Sequence, residues 1–206
     1  MILAIDTSVG VSVALHDGAE TIYEFTSNEH GVQGELTAQF ISNAISSVEI
    51  TASGIDNVVV GVGPGPFTGL RVGLASALAF AHARQIPVHG YCSLDAIGCF
   101  SKGDVAVVSD ARRKELYWAR YVDGVRIEGP FVAKPQDLAP KFSGSAVVGP
   151  AAQLYSELVT GEIRHIEAGC LADLFTQGKG QIHEVVPMYL RKPDAVEPQG
   201  RKQVLK

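Results

Sequence analysis

Two periods of apolar and polar positions divide the chain into strands and helices. Ile2 to Asp6 is a short apolar run ending on a carboxylate, and after Thr7 and Ser8 comes a second run, Val11 to Leu15. Asp17-Gly18 is a hairpin turn signal and Thr21 to Thr26 alternates, so three antiparallel strands open the chain. From Gln33 to Val48 the period becomes helical: Leu36, Phe40, Ile41, Ala44, Ile45 and Val48 predict an amphipathic helix. A β-branched strand follows near Val58 to Val62, then a Gly- and Pro-rich turn to Pro66, a long helix from Gly69, a short strand Val88 to Tyr91 and a helical piece from Ser93 to Phe100.

After Ser101-Lys102-Gly103 the order restarts. Val105 to Ser109 is a buried strand ending in Asp110, Glu115 to Val122 a second strand closed by an Asp123-Gly124 turn, and Val125 to Phe131 a third. A loop at Pro135 leads to a strand at Ala146 to Val148, a helix-like stretch from Ala151 to Val159 and a last helical piece from Leu171 to Gln177. The second half is thus a shortened repeat of the first in element order, with Asp6 and Asp110 at corresponding strand ends. The expected fold is α/β, with mixed sheets flanked by helices. The expected divisions are a domain over 1–102, a smaller one over 103–190 and a polar tail over 191–206.

The helix that starts at Gly69 is apolar nearly all the way round. Gly69, Gly73, Ala77 and Ala81 form one stripe of small residues and Ala75, Ala79 and Ala83 another, and no ionisable side chain lies between Arg71 and His82. A helix apolar on every side must be covered on every side. Two readings are open: burial inside its own domain, or contact of the small stripe with a partner's helix. Glycine in a helix interior costs up to about 1 kcal/mol against alanine, which close backbone approach at Gly69 and Gly73 would offset.

Composition narrows the class. At 46% hydrophobic and 19% charged residues, the 206-residue chain is that of a soluble globular protein. A net charge of -5 argues against an extended grip on nucleic acid. Cys92, Cys99 and Cys170 show no ligand spacing and are expected as free thiols in a reducing cytoplasm. The start, MILAIDTS, lacks a basic region and is not expected to be a signal peptide, and no apolar run approaches the ~20 residues of a membrane span.

Two similar halves, each opening on a hairpin strand that ends in Asp, resemble the actin-like, sugar-kinase and Hsp70-type ATPase superfamily with its duplicated ribonuclease-H-like fold. Three strings narrow this: GVGPGPFTGLRVG from Gly61 to Gly73, SDARRKELYWARY from Ser109 to Tyr121, and PMYLRKPDA from Pro187 to Ala195. They are similar to the TsaB (YeaZ) family. The resemblance implies a non-catalytic subunit that pairs with a catalytic TsaD-like paralogue, is joined by a TsaE-like ATPase, and forms homodimers when alone. The activity implied for the assembly is threonylcarbamoylation of the adenosine beside the anticodon in transfer RNAs reading codons that begin with A; the chain would meet the RNA indirectly, through the complex. The implied interface takes in Gly69, Leu70, Gly73, Leu74, Ala77, Leu78 and Ala81, with Leu36 and Phe40 from the preceding helix.

TsaD-like subunits carry a metal site on two histidines four apart. His16, His30, His82, His89, His165 and His183 include no such pair, so no metal and no cofactor are expected. In ATPases of this fold, glycine turns after the first strand of each half admit phosphates to backbone amides. Here Ser8 and Arg112 stand where glycine would be expected, and Gly149-Pro150-Ala151-Ala152 is a lone echo of an adenosine-side turn. Asp6, Ser8, Asp110 and Gly149 are the nucleotide-proximal candidates, Asp6 and Asp110 having also a plain structural reading as turn and strand-end acids. The rival function is a small-molecule kinase or ATPase of the same fold. Arg71, in the first turn of its helix, calls for a compensating acid from a partner or from the chain itself. Arg112, Arg113 and Lys114 are either a solvated turn or a contact to RNA phosphates.

Overall fold

The computed structural model describes residues 1–27, 33–48, 51–155 and 161–191. Strands β1 (Ile2–Asp6), β2 (Val11–His16) and β3 (Thr21–Ser27) form an antiparallel meander. Helix α1 (Gln33–Ser47) leads to β4 (Asn57–Gly63), parallel to β1; helix α2 (Phe67–Arg84) leads to β5 (Val88–Cys92), parallel to β4. After the short helix α3 (Asp95–Gly98), β6 (Asp104–Asp110), β7 (Leu116–Val122) and β8 (Val125–Ala133) repeat the meander. Helix α4 (Pro135–Leu138) precedes β9 (Ala146–Val148), parallel to β6 as β4 is to β1. Helix α5 (Ala168–Gln177) and the two-residue strand β10 (Ile182–His183) follow.

The first sheet has the order β10-β5-β4-β1-β2-β3 and the second β8-β7-β6-β9, so the expected duplication, with a shortened second copy, is present. Its register is also shared: Asp6 faces Ser12 across the first hairpin, and Asp110 faces Leu116 across the second. Two expectations need adjustment. α5 and β10, which fall within 103–190, return to the first half: β10 pairs with β5, and Leu171, Ala172 and Leu174 of α5 share a core with Ile2, Ala4 and Val59 of the first sheet and with Val107 and Tyr121 of the second. A boundary at 102/103 therefore cuts through a common core. The helix-like stretch from Ala151 begins with turns to Tyr155, and its remainder, like His30 and residues 192–206, lies outside the described residues.

Strand alternation explains the layers. Leu3 and Ile5, Val13 and Leu15, and Val58 and Val60 point to the face covered by α1 and α2, while Ala4, Ala14 and Val59 point to the face covered by α5. Each fully buried Leu or Ile contributes about 1.5–3 kcal/mol relative to exposure. Among the described residues no helix is long and apolar enough to cross a membrane.

Candidate functional site

Helix α2 begins at Phe67, after Pro66, and ends where Gln85 turns left-handed (φ 56°) and donates its N–H to the last carbonyls. Its inward face holds Gly69, Leu70, Gly73, Leu74, Ala77 and Ala81, all buried within the chain. The first small stripe is therefore core, and Thr7 is the reason. Thr7 Oγ1 donates to the Gly69 carbonyl at 2.8 Å, and a methyl group on Gly73 would lie 2.2 Å from that same oxygen. The expectation that this stripe offers the partner surface is corrected: six of the seven α2 residues assigned to it are spent on the chain's own β1–β2 turn and sheet. Leu78, the seventh, is 45% exposed.

The outward face of α2 carries Arg71, Ala75, Leu78, Ala79, His82 and Ala83, so the second small stripe is the one that faces out. Beside it lies α1. Phe40 is buried, with its ring 4.2 Å from that of Phe25 on β3, and Leu36 is half-buried on the edge of the same cluster. Phe25 itself is 45% exposed, which extends the apolar surface beyond the two helices.

The four nucleotide-proximal candidates surround one end of the paired hairpins. A cleft of about 410 Å³ is walled by Ser8, Pro66, Asp110, Arg112, Pro150 and His165, among others. Asp6 is buried behind Ser8, its Oδ1 accepting from the Ser8 amide (2.8 Å) and hydroxyl (2.6 Å) and its Oδ2 from the Ser93 hydroxyl (2.5 Å). Burial raises the Asp6 pKa, and the bonds from Ser8 and Ser93 oppose that rise. Gly61 is obligatory beside it, since a Cβ there would meet Asp6 Oδ2 at 1.8 Å. At the second hairpin the Arg112 amide donates to Asp110 Oδ1 (2.8 Å) and the Arg112 guanidinium pairs with Oδ2 (3.2 Å). The Gly149 amide donates to the Glu162 carbonyl (3.0 Å). The amides of Ser8, Arg112 and Gly149 are thus each engaged within the chain. Ser93 is a member of this network that sequence reasoning missed; it sits 87 positions from Asp6.

Among the described residues no acid of the chain itself pairs with Arg71. Its Nε donates to the Tyr189 hydroxyl at 2.7 Å, and its guanidinium lies over the Phe67 and Tyr189 rings, which stack at 4.3 Å. Arg191 pairs with Glu115 and donates to the Arg112 carbonyl, while the Met188 amide donates to the Val62 carbonyl (2.8 Å). The three strings that carry the family resemblance, far apart in sequence, therefore meet around the start of α2 and the β6–β7 turn.

A family model described as "TsaD: tRNA N6-adenosine threonylcarbamoyltransferase" matches residues 24–153. The chain is 32% identical over 128 residues to the "tRNA threonylcarbamoyladenosine biosynthesis protein TsaB" of Escherichia coli, covering 58% of this chain and 54% of that one. The chain belongs to the TsaB (YeaZ) family. An uncharacterized Mycobacterium leprae protein is 43% identical over 201 residues, 95% of this chain and 56% of that one. The chain thus spans about half the length of these two curated relatives. YeaZ from Pseudomonas aeruginosa superposes with a TM-score of 0.73 at 23% identity, covering 92% of this chain and 99% of that one, and so shares the actin-like, ribonuclease-H-like fold.

In this TsaB-family chain the histidines are dispersed. His16 is buried, its Nδ1 accepting from the Gly18 amide and its Nε2 facing Asp173 at 3.4 Å; His82 is exposed on α2; His89 rests against Phe175 and is depressed in pKa by burial. Among the described residues no group of three or more His, Cys, Asp or Glu side chains is placed to hold a metal ion. The three cysteines are free, and burial pushes Cys99 and Cys170 up to about 12, which favours the protonated thiol near neutral pH.

Proposed function

We propose that this chain is a non-catalytic docking subunit in the formation of threonylcarbamoyladenosine in transfer RNA. It holds a TsaD-like catalytic subunit through the outward face of α2 with the adjoining edge of α1, and closes a homodimer through the same face when that partner is absent. A TsaE-like ATPase joins the pair, and the RNA, a transfer RNA reading codons that begin with A, is met through the complex. The observation that carries this reading is the exposed, uncharged face formed by Ala75, Leu78 and Ala79 on a helix whose opposite face is already buried. Small residues there let a second helix approach closely. The matching family and the Escherichia coli relative, both named for threonylcarbamoyladenosine formation, support the pathway. The non-catalytic role is supported by the cleft, where the Ser8, Arg112 and Gly149 amides are committed to Asp6, Asp110 and Glu162.

The test is reconstitution of RNA modification with the cognate TsaD-like subunit and threonylcarbamoyl-adenylate. Omitting this chain, or supplying it as Ala79→Arg, is expected to lower product formation at least tenfold, whereas Asp6→Asn is expected to leave it near wild type. Equal rates with and without the chain would overturn the docking role. Magnesium-ATP turnover by the chain alone that Asp6→Asn abolishes would instead establish a kinase or ATPase.

A further inference from the structure

A second cavity, of about 400 Å³, lies at the junction of the two halves, away from α2 and from the cleft at Ser8. One wall is the β7–β8 turn, where Asp123 (φ 47°) and Gly124 (φ 81°) make the left-handed pair that a two-residue hairpin requires. The other wall is the segment after α5. Gly178, left-handed at φ 62°, ends that helix, and the Lys179 amide donates back to the Leu174 carbonyl at 2.9 Å, which turns Lys179 to the cavity.

Between these walls sits Arg126. Its side chain is only 13% exposed, and Nη1 is buried with no hydrogen-bond partner among the described residues. Its nearest carboxylate, Asp95, is 3.6 Å away and already accepts from the Tyr121 hydroxyl at 2.7 Å; its other contact, from Nη2 to His183 Nε2, is long at 3.4 Å. A guanidinium has five N–H donors, and leaving them unmet in a buried position is costly. An unsatisfied buried polar group of this kind calls for a bound water or ion. The second acid at the cavity, Asp123, is turned to the backbone, its Oδ1 accepting from the Gly103 amide at 2.8 Å. Lys179 also lines the cavity and is exposed; its ammonium rests 4.8 Å over the Phe100 ring, a weak exposed contact that an anion in the cavity would replace. Two cationic residues thus line a cavity of small-molecule size whose acids are engaged by groups of the protein.

We propose that this cavity binds a small molecule through one compact oxyanion, a carboxylate or a phosphate, held by Arg126 and Lys179. The experiment is titration of the isotopically labelled full chain with sodium phosphate and, separately, with sodium malonate, at ionic strength held constant with chloride. The amide resonances of Gly124, Gly180 and Gln181 are followed. A saturable shift with one probe, weakened at least tenfold by Lys179→Met, is expected, and the probe that saturates identifies the oxyanion. Arg126→Gln is expected to abolish the shift; if that variant fails to fold, the exposed Lys179→Met decides alone. No saturable shift with either probe, or the same shift in Lys179→Met, which would mark an adventitious ion only, would overturn the proposal.

Discussion

Arg71 and Tyr189, 118 positions apart, are joined by a 2.7 Å hydrogen bond on the surface where α2 begins. The Tyr189 ring also stacks on Phe67, so a single residue from the C-terminal segment fixes both the first turn of α2 and its cation. A partly exposed aromatic pair of this kind is worth about 0.5–1.5 kcal/mol beyond the area it buries. Tyr189→Ala is expected to lower unfolding stability by about 1–2 kcal/mol in urea denaturation, and Tyr189→Phe, which keeps the stack and loses only an exposed hydrogen bond, by less than about 1 kcal/mol. Equal losses in the two variants would show that the stack contributes nothing.

Gly73 and Thr7 set how closely α2 approaches the β1–β2 turn. Alanine in a helix interior ordinarily gains about 1 kcal/mol over glycine. At Gly73 the added methyl would fall 2.2 Å from Thr7 Oγ1, so the expected result is the reverse, a loss of about 1–3 kcal/mol. Adding Thr7→Ala removes the obstructing oxygen, so the double variant is expected to be more stable than the sum of the two single changes. A strictly additive cycle, measured by denaturant midpoints, would contradict this packing.

The buried Asp6 carboxyl predicts a pH dependence. Burial raises its folded pKa above the unfolded value of about 4. The fold therefore favours the protonated form: this contribution to stability is full below the unfolded pKa and is lost as pH rises through the folded one. The stability of wild type minus that of Asp6→Asn is expected to fall with rising pH above about 4 and to be flat below it. A difference that grows with pH would mean that the Ser8 and Ser93 bonds outweigh desolvation.

Much of this was legible in the chain itself. The apolar runs Ile2 to Asp6 and Val11 to Leu15 and the alternation of Thr21 to Thr26 mark β1 to β3, and Asp6 and Asp110 mark the duplicated hairpins because each ends a buried strand. The orientation of α2 was not legible. With Gly69, Gly73, Ala77 and Ala81 on one side and Ala75, Ala79 and Ala83 on another, both stripes are small and apolar, and only Thr7 of the neighbouring turn decides which goes inward. Long-range partners were hidden for a similar reason: no local pattern ties Tyr189 to Phe67, Ser93 to Asp6 or Arg126 to Asp95. Nor does sequence announce that Arg112, Arg113 and Lys114 are all left-handed, with φ of 60°, 53° and 58°, since none is a residue that favours that conformation.

The docking face is tested most directly by the solution mass of the chain, alone and mixed with its cognate TsaD-like subunit, for wild type, Ala79→Arg and Ala77→Arg. Ala79 is exposed and Ala77 fully buried, so the pair separates surface from core. The expected result is a wild-type dimer that exchanges for the mixed complex, a folded monomeric Ala79→Arg that does neither, and an Ala77→Arg that fails to fold. A folded Ala79→Arg that still dimerises and still binds the catalytic subunit would place the interface elsewhere.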